Sequence, residues 1–475
     1  MLPAPAWRGV QPCFDLFPLL ICSILLVGLR VFILGGGLAG LAAGCRLADR
    51  GDYEPILIER RPYLGGRASS FLHKGLGEKV DLGQHVFLRC CSAYISFLKE
   101  IGAWEMVALQ SRLSLKICGQ DGRVGRLAGS LLPGPLYLFP SLLRLPLLSP
   151  RERLLLLPAL VRALTSSRRR DRVEGSFREW LERHGQGGTV ERFWDFLILS
   201  TLNDHPERVS AAMGLMVLQE AFLNHHGADL GYPRVGLSRI AAKAGDYILK
   251  RGGEIILGRG VERLDLLGSR VRSVRLSDGR VLHGEGFIAA LPPEGLLRIL
   301  PEEWRLHPFF SCVERIAWNP IVNLYLWLDR PVLEEDLLAF FDSPVQWVFN
   351  RSKILGHAGP GQELCLSLSG ARGLIPLPPE RLFQIVLEEL ERLLPEVRKA
   401  RVEKHLVVKQ PRATISLLPG MEAHRPPSMT PIKNLFLAGD WTATGWPSTM
   451  EGAVRSGLEA ARNLISALKG RPGEG

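Results

Sequence analysis

A chain of 475 residues, 46% of them hydrophobic, has enough apolar material for a large core and exceeds one ordinary domain, so two closely joined domains are expected and disorder is excluded. Its 50 glycines and 33 prolines are spread through the sequence, which implies many turns between short elements and excludes a low-complexity tract. The formal charge of +11 gathers between Arg144 and Arg172, where eight arginines stand against Glu152 and Asp171 among leucines and without aromatics to stack on bases, a pattern that argues against nucleic acid and for an anionic membrane surface.

The apolar run from Phe17 to Leu29 has the look of a signal-peptide core but no basic region and no small-residue cleavage site, and it is short for a membrane span, which needs about 18 or more apolar residues. Residues 1–29 are therefore read as an N-terminal extension outside the fold. Val31-Phe32-Ile33-Leu34 is the kind of β-rich apolar run expected of a strand buried on both faces. Gly35-Gly36-Gly37-Leu38-Ala39-Gly40 follows at once and satisfies GxGxxG, with a helix-forming stretch from Leu41 to Arg50 behind it. In that setting Gly35 makes a tight turn, Gly37 lets the backbone approach a pyrophosphate, Gly40 permits close packing, and the helix N-terminus offers N–H groups to the anion. A second strand, Glu54 to Ile58, ends in Glu59, 19 residues after Gly40, where a carboxylate accepts both ribose hydroxyls of an adenosine.

Of the eight cysteines, Cys90 and Cys91 alone lie close together, and no CxxC pair or Cys/His cluster exists to hold a metal; a reducing compartment and no metal follow. Leu131 to Leu164 is leucine-dense but broken by prolines, too interrupted for a span; it is either a stretch that dips into one leaflet while Arg168-Arg169-Arg170 meets lipid phosphates, or a buried helical unit with a solvated basic end. His225 and His226 sit in a polar stretch and read as surface residues. Further on, Tyr232 to Leu237 precedes an amphipathic segment to Lys250, then Gly252 to Leu257 and Val261 to Leu264. Near the C-terminus Asn434 to Asp440 reads as another buried strand, closed by Gly439 and Asp440. Pro447-Ser448-Thr449-Met450 then opens a helical pattern, Glu451-Gly452-Ala453-Val454 and on to Leu464. A helix N-terminus there would stabilise negative charge on a bound group.

The loop Arg60-Arg61-Pro62-Tyr63-Leu64-Gly65-Gly66-Arg67-Ala68 resembles the flavin-containing amine oxidase and phytoene desaturase superfamily, in which it passes along the diphosphate and ring, with an arginine to neutralise phosphate charge. The resemblance spans residues 31–465. It implies an α/β fold: a Rossmann-like FAD-binding domain assembled from 30–80, 230–295 and 411–470, with an inserted α+β substrate domain from 81–229 and 296–410. It implies non-covalent FAD, held by Gly35, Gly37, Leu38, Ala39, Gly40, Glu59, Arg60, Gly66, Arg67, Val261, Gly439, Asp440, Thr449, Met450 and Ala453.

Asp81-Leu82-Gly83-Gln84-His85-Val86-Phe87-Leu88 resembles the segment of carotene desaturases and squalene-associated desaturases that carries a histidine. With Arg412-Ala413-Thr414 and Trp441-Thr442-Ala443-Thr444-Gly445 it points to the hydroxysqualene dehydroxylases of hopanoid biosynthesis. Arg89, where relatives carry a small glycine, and Leu82 depart from the pattern. That family implies reductive removal of an allylic hydroxyl in a long dry tunnel: an acid protonates the oxygen, water leaves, and reduced flavin supplies hydride. His85 is the expected acid, and Trp446 or Phe87 the cation-stabilising wall. It further implies NAD(P)H as electron donor, terpenoid synthases as partners, and a cytoplasmic protein peripherally bound to the inner face of the cell membrane. The alternatives are a carotenoid-type desaturase, which runs hydride the other way; an amine oxidase; and a non-catalytic flavoprotein partner of a terpenoid synthase.

Overall fold

The structure is a computed structural model that describes residues 28–166, 173–188 and 191–469; most of the N-terminal extension and the whole of Arg168-Arg169-Arg170 lie outside the described residues. Five parallel strands form one sheet in the order Glu254–Leu257, Tyr53–Glu59, Leu29–Leu34, Gly286–Ala289, Leu435–Leu437. Its centre is apolar on both faces, and Val31 to Leu34 are fully buried, as a parallel sheet covered on both sides requires. Leu29 pairs with Tyr53, so the first strand begins two residues before the predicted run and takes in a residue assigned above to the extension.

The helix Leu38–Ala48 leaves the glycine turn and packs against both the C-terminal helix Met450–Lys469 and the amphipathic helix Leu237–Leu249. Small residues set these distances. A Cβ on Gly457 would stand 2.1 Å from the Ala39 carbonyl oxygen, and one on Gly40 1.9 Å from that of Gly35, so neither position admits any side chain at this spacing. A three-stranded antiparallel meander, Val261–Leu267, Arg270–Leu276 and Val281–His283, extends this unit.

The second unit is built on a seven-stranded mixed sheet in the order Val402–Ile415, Trp318–Leu328, Gln362–Leu368, Trp347–Asn350, Leu337–Phe341, Ser114–Gly119, Val124–Ala128. The helix Pro379–Leu393 packs against Val402–Ile415 and shares one apolar core with the sheet. The helices Pro150–Thr165, Phe177–Arg183, Glu191–Leu202 and Ala211–Val217 join the other core. The fold is α/β, a Rossmann-like dinucleotide-binding unit carrying an α+β unit inserted between its strands.

The leucine-dense segment is part buried and part exposed. Leu142, Leu145, Leu147, Leu148 and Leu156 are buried, while Leu131, Leu154 and Val161 are 79%, 62% and 58% exposed, too much for a wholly buried helical unit. The helix Pro150–Thr165 starts on a Ser149/Glu152 capping box and contains Pro158. Among the described residues no helix is long and apolar enough to cross a membrane.

Candidate active site

A cavity of about 920 Å³ runs along the C-terminal ends of the parallel strands, at the upper end of the usual size of ligand sites. It is lined by Gly35, Gly37, Leu38, Ala39, Glu59, Arg60, Gly66, Arg67, Val261, Gly439, Asp440, Thr449, Met450 and Ala453, residues drawn from both ends and the middle of the chain. Gly40 stands behind this wall in a packing role. Glu59 is buried at the end of its strand; its carboxylate accepts hydrogen bonds from the backbone N–H groups of Gly36 at 2.8 Å and Arg61 at 2.9 Å. Thr449 caps the C-terminal helix, its hydroxyl accepting from Gly452 N–H at 3.2 Å.

Arg67 lines the chamber, and its guanidinium is ion-paired with Asp440, donates to the Ala413 carbonyl at 3.1 Å and lies over the Trp318 ring at 5.2 Å. Asp440 also accepts from the Ser448 hydroxyl and has both oxygens engaged. Arg60, exposed, and Arg61 on the same loop also line the chamber.

His85 lines the same chamber. Its Nδ1–H donates to the Gly83 carbonyl at 3.0 Å, which leaves Nε2 as a lone pair. Burial lowers the imidazole pKa, outweighing the hydrogen bond to Gly83 that works the other way, so the ring is neutral at neutral pH. With Nδ1 engaged, Nε2 is the ring nitrogen left for proton exchange. The segment is held from below by the buried Arg351, which donates to Gln84 Oε1 at 2.9 Å and Asp81 Oδ2 at 3.0 Å.

A second, apolar cavity opens beside the first. Val86, Ser200, Thr201, Trp347, Thr449 and Met450 line both, so the two spaces share a seam. Phe87, Leu113, Leu115, Phe193, Met216, Phe222 and Leu230 carry this tunnel away from the chamber. Phe87 and Trp446 both belong to its wall, but Arg455 stacks on Trp446 at 4.4 Å, so that ring already faces a cation. Two carboxylates line it. Glu451 accepts from the backbone N–H groups of Ala93 and Tyr94 at 3.1 and 2.7 Å and pairs with Arg455, which makes it a cap for the helix Ser92–Glu100. Glu220 sits on a π-helical turn, Leu218–Phe222, a form of helix frequent at functional sites.

Sequence reasoning missed Ser200, Glu220 and Asn323. Among the described residues four buried side-chain polar atoms lack a hydrogen-bond partner, and three of them, Ser200 Oγ, Asn323 Oδ1 and Glu294 Oε2, line the chamber. Ser200 is presented at the seam by the end of its helix, where the fully buried Asp204 receives Arg372 at 2.7 and 2.9 Å and Asn319 at 2.9 Å. Each of these polar residues lies within an apolar run, and no local motif singles it out. The Arg89 departure is accounted for: Arg89 pairs at 2.8 Å with the fully buried Asp229, which also accepts from Tyr137 OH at 2.6 Å and Leu113 N–H at 2.7 Å. His226 joins the same carboxylate at 2.7 Å and packs on Tyr137, so it is half-buried and partnered; its neighbour His225 is exposed, as predicted. Asp195, His205 and Glu207 come together as metal sites do, but Arg178 already binds both carboxylates.

A parallel sheet that places a glycine turn, a buried carboxylate at a strand end and a capped helix around one elongated chamber has the form of a dinucleotide-binding oxidoreductase. The buried orphan atoms Asn323 Oδ1 and Glu294 Oε2 fit the polar ring and chain of FAD, which would partner them. The chain belongs to the flavin containing amine oxidoreductase family, whose model matches residues 38–465. It is similar to 15-cis-phytoene desaturase of Glycine max, 29% identical over 92% of this chain and 79% of that protein, and to that of Synechococcus elongatus, 26% identical over 92% and 96%. A probable zeta-carotene desaturase of Synechococcus elongatus is 28% identical over 92% and 99%. In fold it resembles a putrescine oxidase structure, TM-score 0.69 at 17% identity covering 93% and 99%, and cyclohexylamine oxidase of Brevibacterium oxydans, TM-score 0.66 at 17% covering 93% and 100%. The protein is an FAD-dependent oxidoreductase.

Proposed function

We propose that the chain moves hydride between FAD and a long, linear, apolar isoprenoid, and that it does so as a desaturase. The observation that carries this reading is the seam, where an apolar tunnel opens onto the cofactor chamber along Val86, Trp347 and Met450. The similarity to phytoene and zeta-carotene desaturases over 92% of the chain supports the oxidative direction against the dehydroxylase expected above. FAD, when bound, supplies the hydride acceptor. The chain contributes a dry tunnel that aligns the hydrocarbon, and the bare Nε2 of His85 beside the seam as acceptor for the accompanying proton. An amine would have to leave its charge in a largely apolar wall, which disfavours the amine oxidase reaction.

Reductive dehydroxylation of an allylic alcohol is the second reading, and one observation favours it. The Ser200 hydroxyl at the seam has no partner, which a pure hydrocarbon leaves unmet and an alcohol would satisfy. Glu220, on the tunnel wall, would be its acid. An anaerobic experiment separates the two. Oxidised enzyme given a linear C40 polyene precursor should lose its oxidised flavin spectrum and form an extra double bond, detected by mass spectrometry. If it does not, and reduced enzyme is instead reoxidised by a C30 allylic alcohol, the direction is reductive.

We further propose that the enzyme works from a membrane surface. Leu131, Leu154, Val161 and Leu164 are exposed on the segment that also contributes Leu145 to the tunnel, flanked by exposed Arg144, Arg151 and Arg162. A substrate of this kind hardly visits water, so an apolar, basic face beside the tunnel gives it an entry from the bilayer.

A further inference from the structure

Cys90 and Cys91 are adjacent in sequence, both line the apolar tunnel, and the chemistry above uses neither. In an extended strand two neighbouring side chains would point to opposite faces. Here the chain turns between Leu88 and Ser92, with Cys91 N–H donating to Leu88 O at 2.9 Å and Ser92 N–H to Cys90 O at 2.8 Å; both residues line the same cavity and their thiols are in hydrogen-bond contact. Both are free, Cys91 buried and Cys90 half-buried. The hydrogen bond that the Cys91 S–H donates to Cys90, together with burial, pushes the Cys91 thiol well up, so it stays protonated and is a poor target for simple alkylation.

Two soft sulfur donors on one turn, facing an apolar space, are suited to a soft, thiophilic centre that carries an apolar group. We propose that Cys90 and Cys91 form a chelating site for an apolar trivalent arsenical, an R–As(III) compound, whose occupation blocks the tunnel. An arylarsine oxide reacts with the two thiols to give a cyclic dithioarsonite and one water: two As–S bonds form, two S–H bonds and the As=O bond break, and neither arsenic nor sulfur changes oxidation state. The second As–S bond closes within one turn of chain, so the chelate outlasts any single-thiol adduct. The aryl group remains in an apolar tunnel, which selects it over hydrated inorganic arsenite. Neither cysteine lines the FAD chamber, so the site acts on the tunnel and leaves the cofactor in place.

The test treats the FAD-loaded protein with phenylarsine oxide and reads intact mass. One adduct, formed with loss of one water, is expected; 2,3-dimercaptopropanol should remove it, and a large excess of 2-mercaptoethanol should not. Cys90→Ser and Cys91→Ser should each lose at least nine-tenths of the adduct while keeping the bound-flavin absorbance that reports the fold. If Cys91→Ser fails to bind flavin, Cys90→Ser, at the less buried position, decides alone. Inorganic arsenite should need at least a tenfold higher concentration. No adduct on the folded wild type, or an undiminished adduct in Cys90→Ser, overturns the proposal.

Discussion

The carboxylate of Glu59 accepts a hydrogen bond from the Gly36 backbone N–H at 2.8 Å, so the acid that ends the second strand also fixes the glycine turn that ends the first. Removing its charge therefore disturbs both the chamber wall and the glycine turn beside it. A hydrogen bond to a charged group contributes about 1.5–3 kcal/mol, which is roughly 10- to 100-fold in binding. Glu59→Gln is expected to weaken FAD by that factor in a fluorescence titration of the apoprotein, with the far-ultraviolet spectrum unchanged.

Asp229 is the buried centre of the segment that carries Arg89. Breaking a buried ion pair by removing one partner costs about 3–5 kcal/mol, and here Tyr137, His226 and Leu113 N–H keep three hydrogen bonds to the carboxylate, so the lower part of that range applies. Arg89→Ala should lower thermal stability clearly in calorimetry. Asp229→Asn added to it should recover part of the loss, because the stranded charge is gone.

Much of the cofactor half was legible in sequence, because a glycine turn between a buried strand and a helix leaves a local pattern, and all but Gly40 of the residues singled out there line the chamber. The tunnel was legible only as a need for apolar walls. Ser200, Glu220 and Asn323 sit inside apolar runs, and what makes them notable is the cavity wall that distant parts of the chain assemble around them, such as Leu82, 241 positions from Asn323. The ion pair of Arg67 was hidden for the same reason: its partner, Asp440, is 373 positions away, and local sequence shows only an arginine near a glycine pair.

The pH dependence of His85 has a definite sign. Its ordinary pKa of 6.5 is lowered in the fold, so as pH falls through 6.5 the unfolded chain takes up a proton before the native one does. Native stability from this group is therefore complete above 6.5 and declines below it until the lowered native pKa is passed. If His85 accepts a proton in catalysis, turnover should be flat at neutral pH and fall on an acid limb that lies below 6.5. His85→Gln should slow turnover about 10²–10⁴-fold and abolish that limb while FAD stays bound. A rate that instead rises as the solution is acidified through the same range would restore the proton-donor role.

The exposed face of the helix Pro150–Thr165 predicts a surface effect without a cofactor effect. Leu154 and Val161 lie seven residues apart, two turns along one side, 62% and 58% exposed. Leu154→Glu with Val161→Glu should release the protein from anionic vesicles in a flotation assay, leave the flavin spectrum intact, and slow turnover of vesicle-borne substrate more than of detergent-dispersed substrate. Retention on the vesicles would place the membrane contact elsewhere.

Ser200 decides between a hydrocarbon and an alcohol. A buried hydroxyl without a partner destabilises the fold by about 1–3 kcal/mol, so Ser200→Ala should leave the substrate-free holoenzyme as stable or more stable in a thermal melt. If the hydroxyl serves substrate, the wild type should bind a linear C30 allylic alcohol more tightly than the matching hydrocarbon, roughly 5-fold or more for about 1 kcal/mol, and the alanine variant should lose that preference while its FAD affinity is unchanged. Equal binding of alcohol and hydrocarbon by the wild type would remove the argument for dehydroxylation and leave desaturation alone. Weakened FAD in the variant would show that the hydroxyl belongs to the cofactor, because Ser200 stands where the two cavities meet.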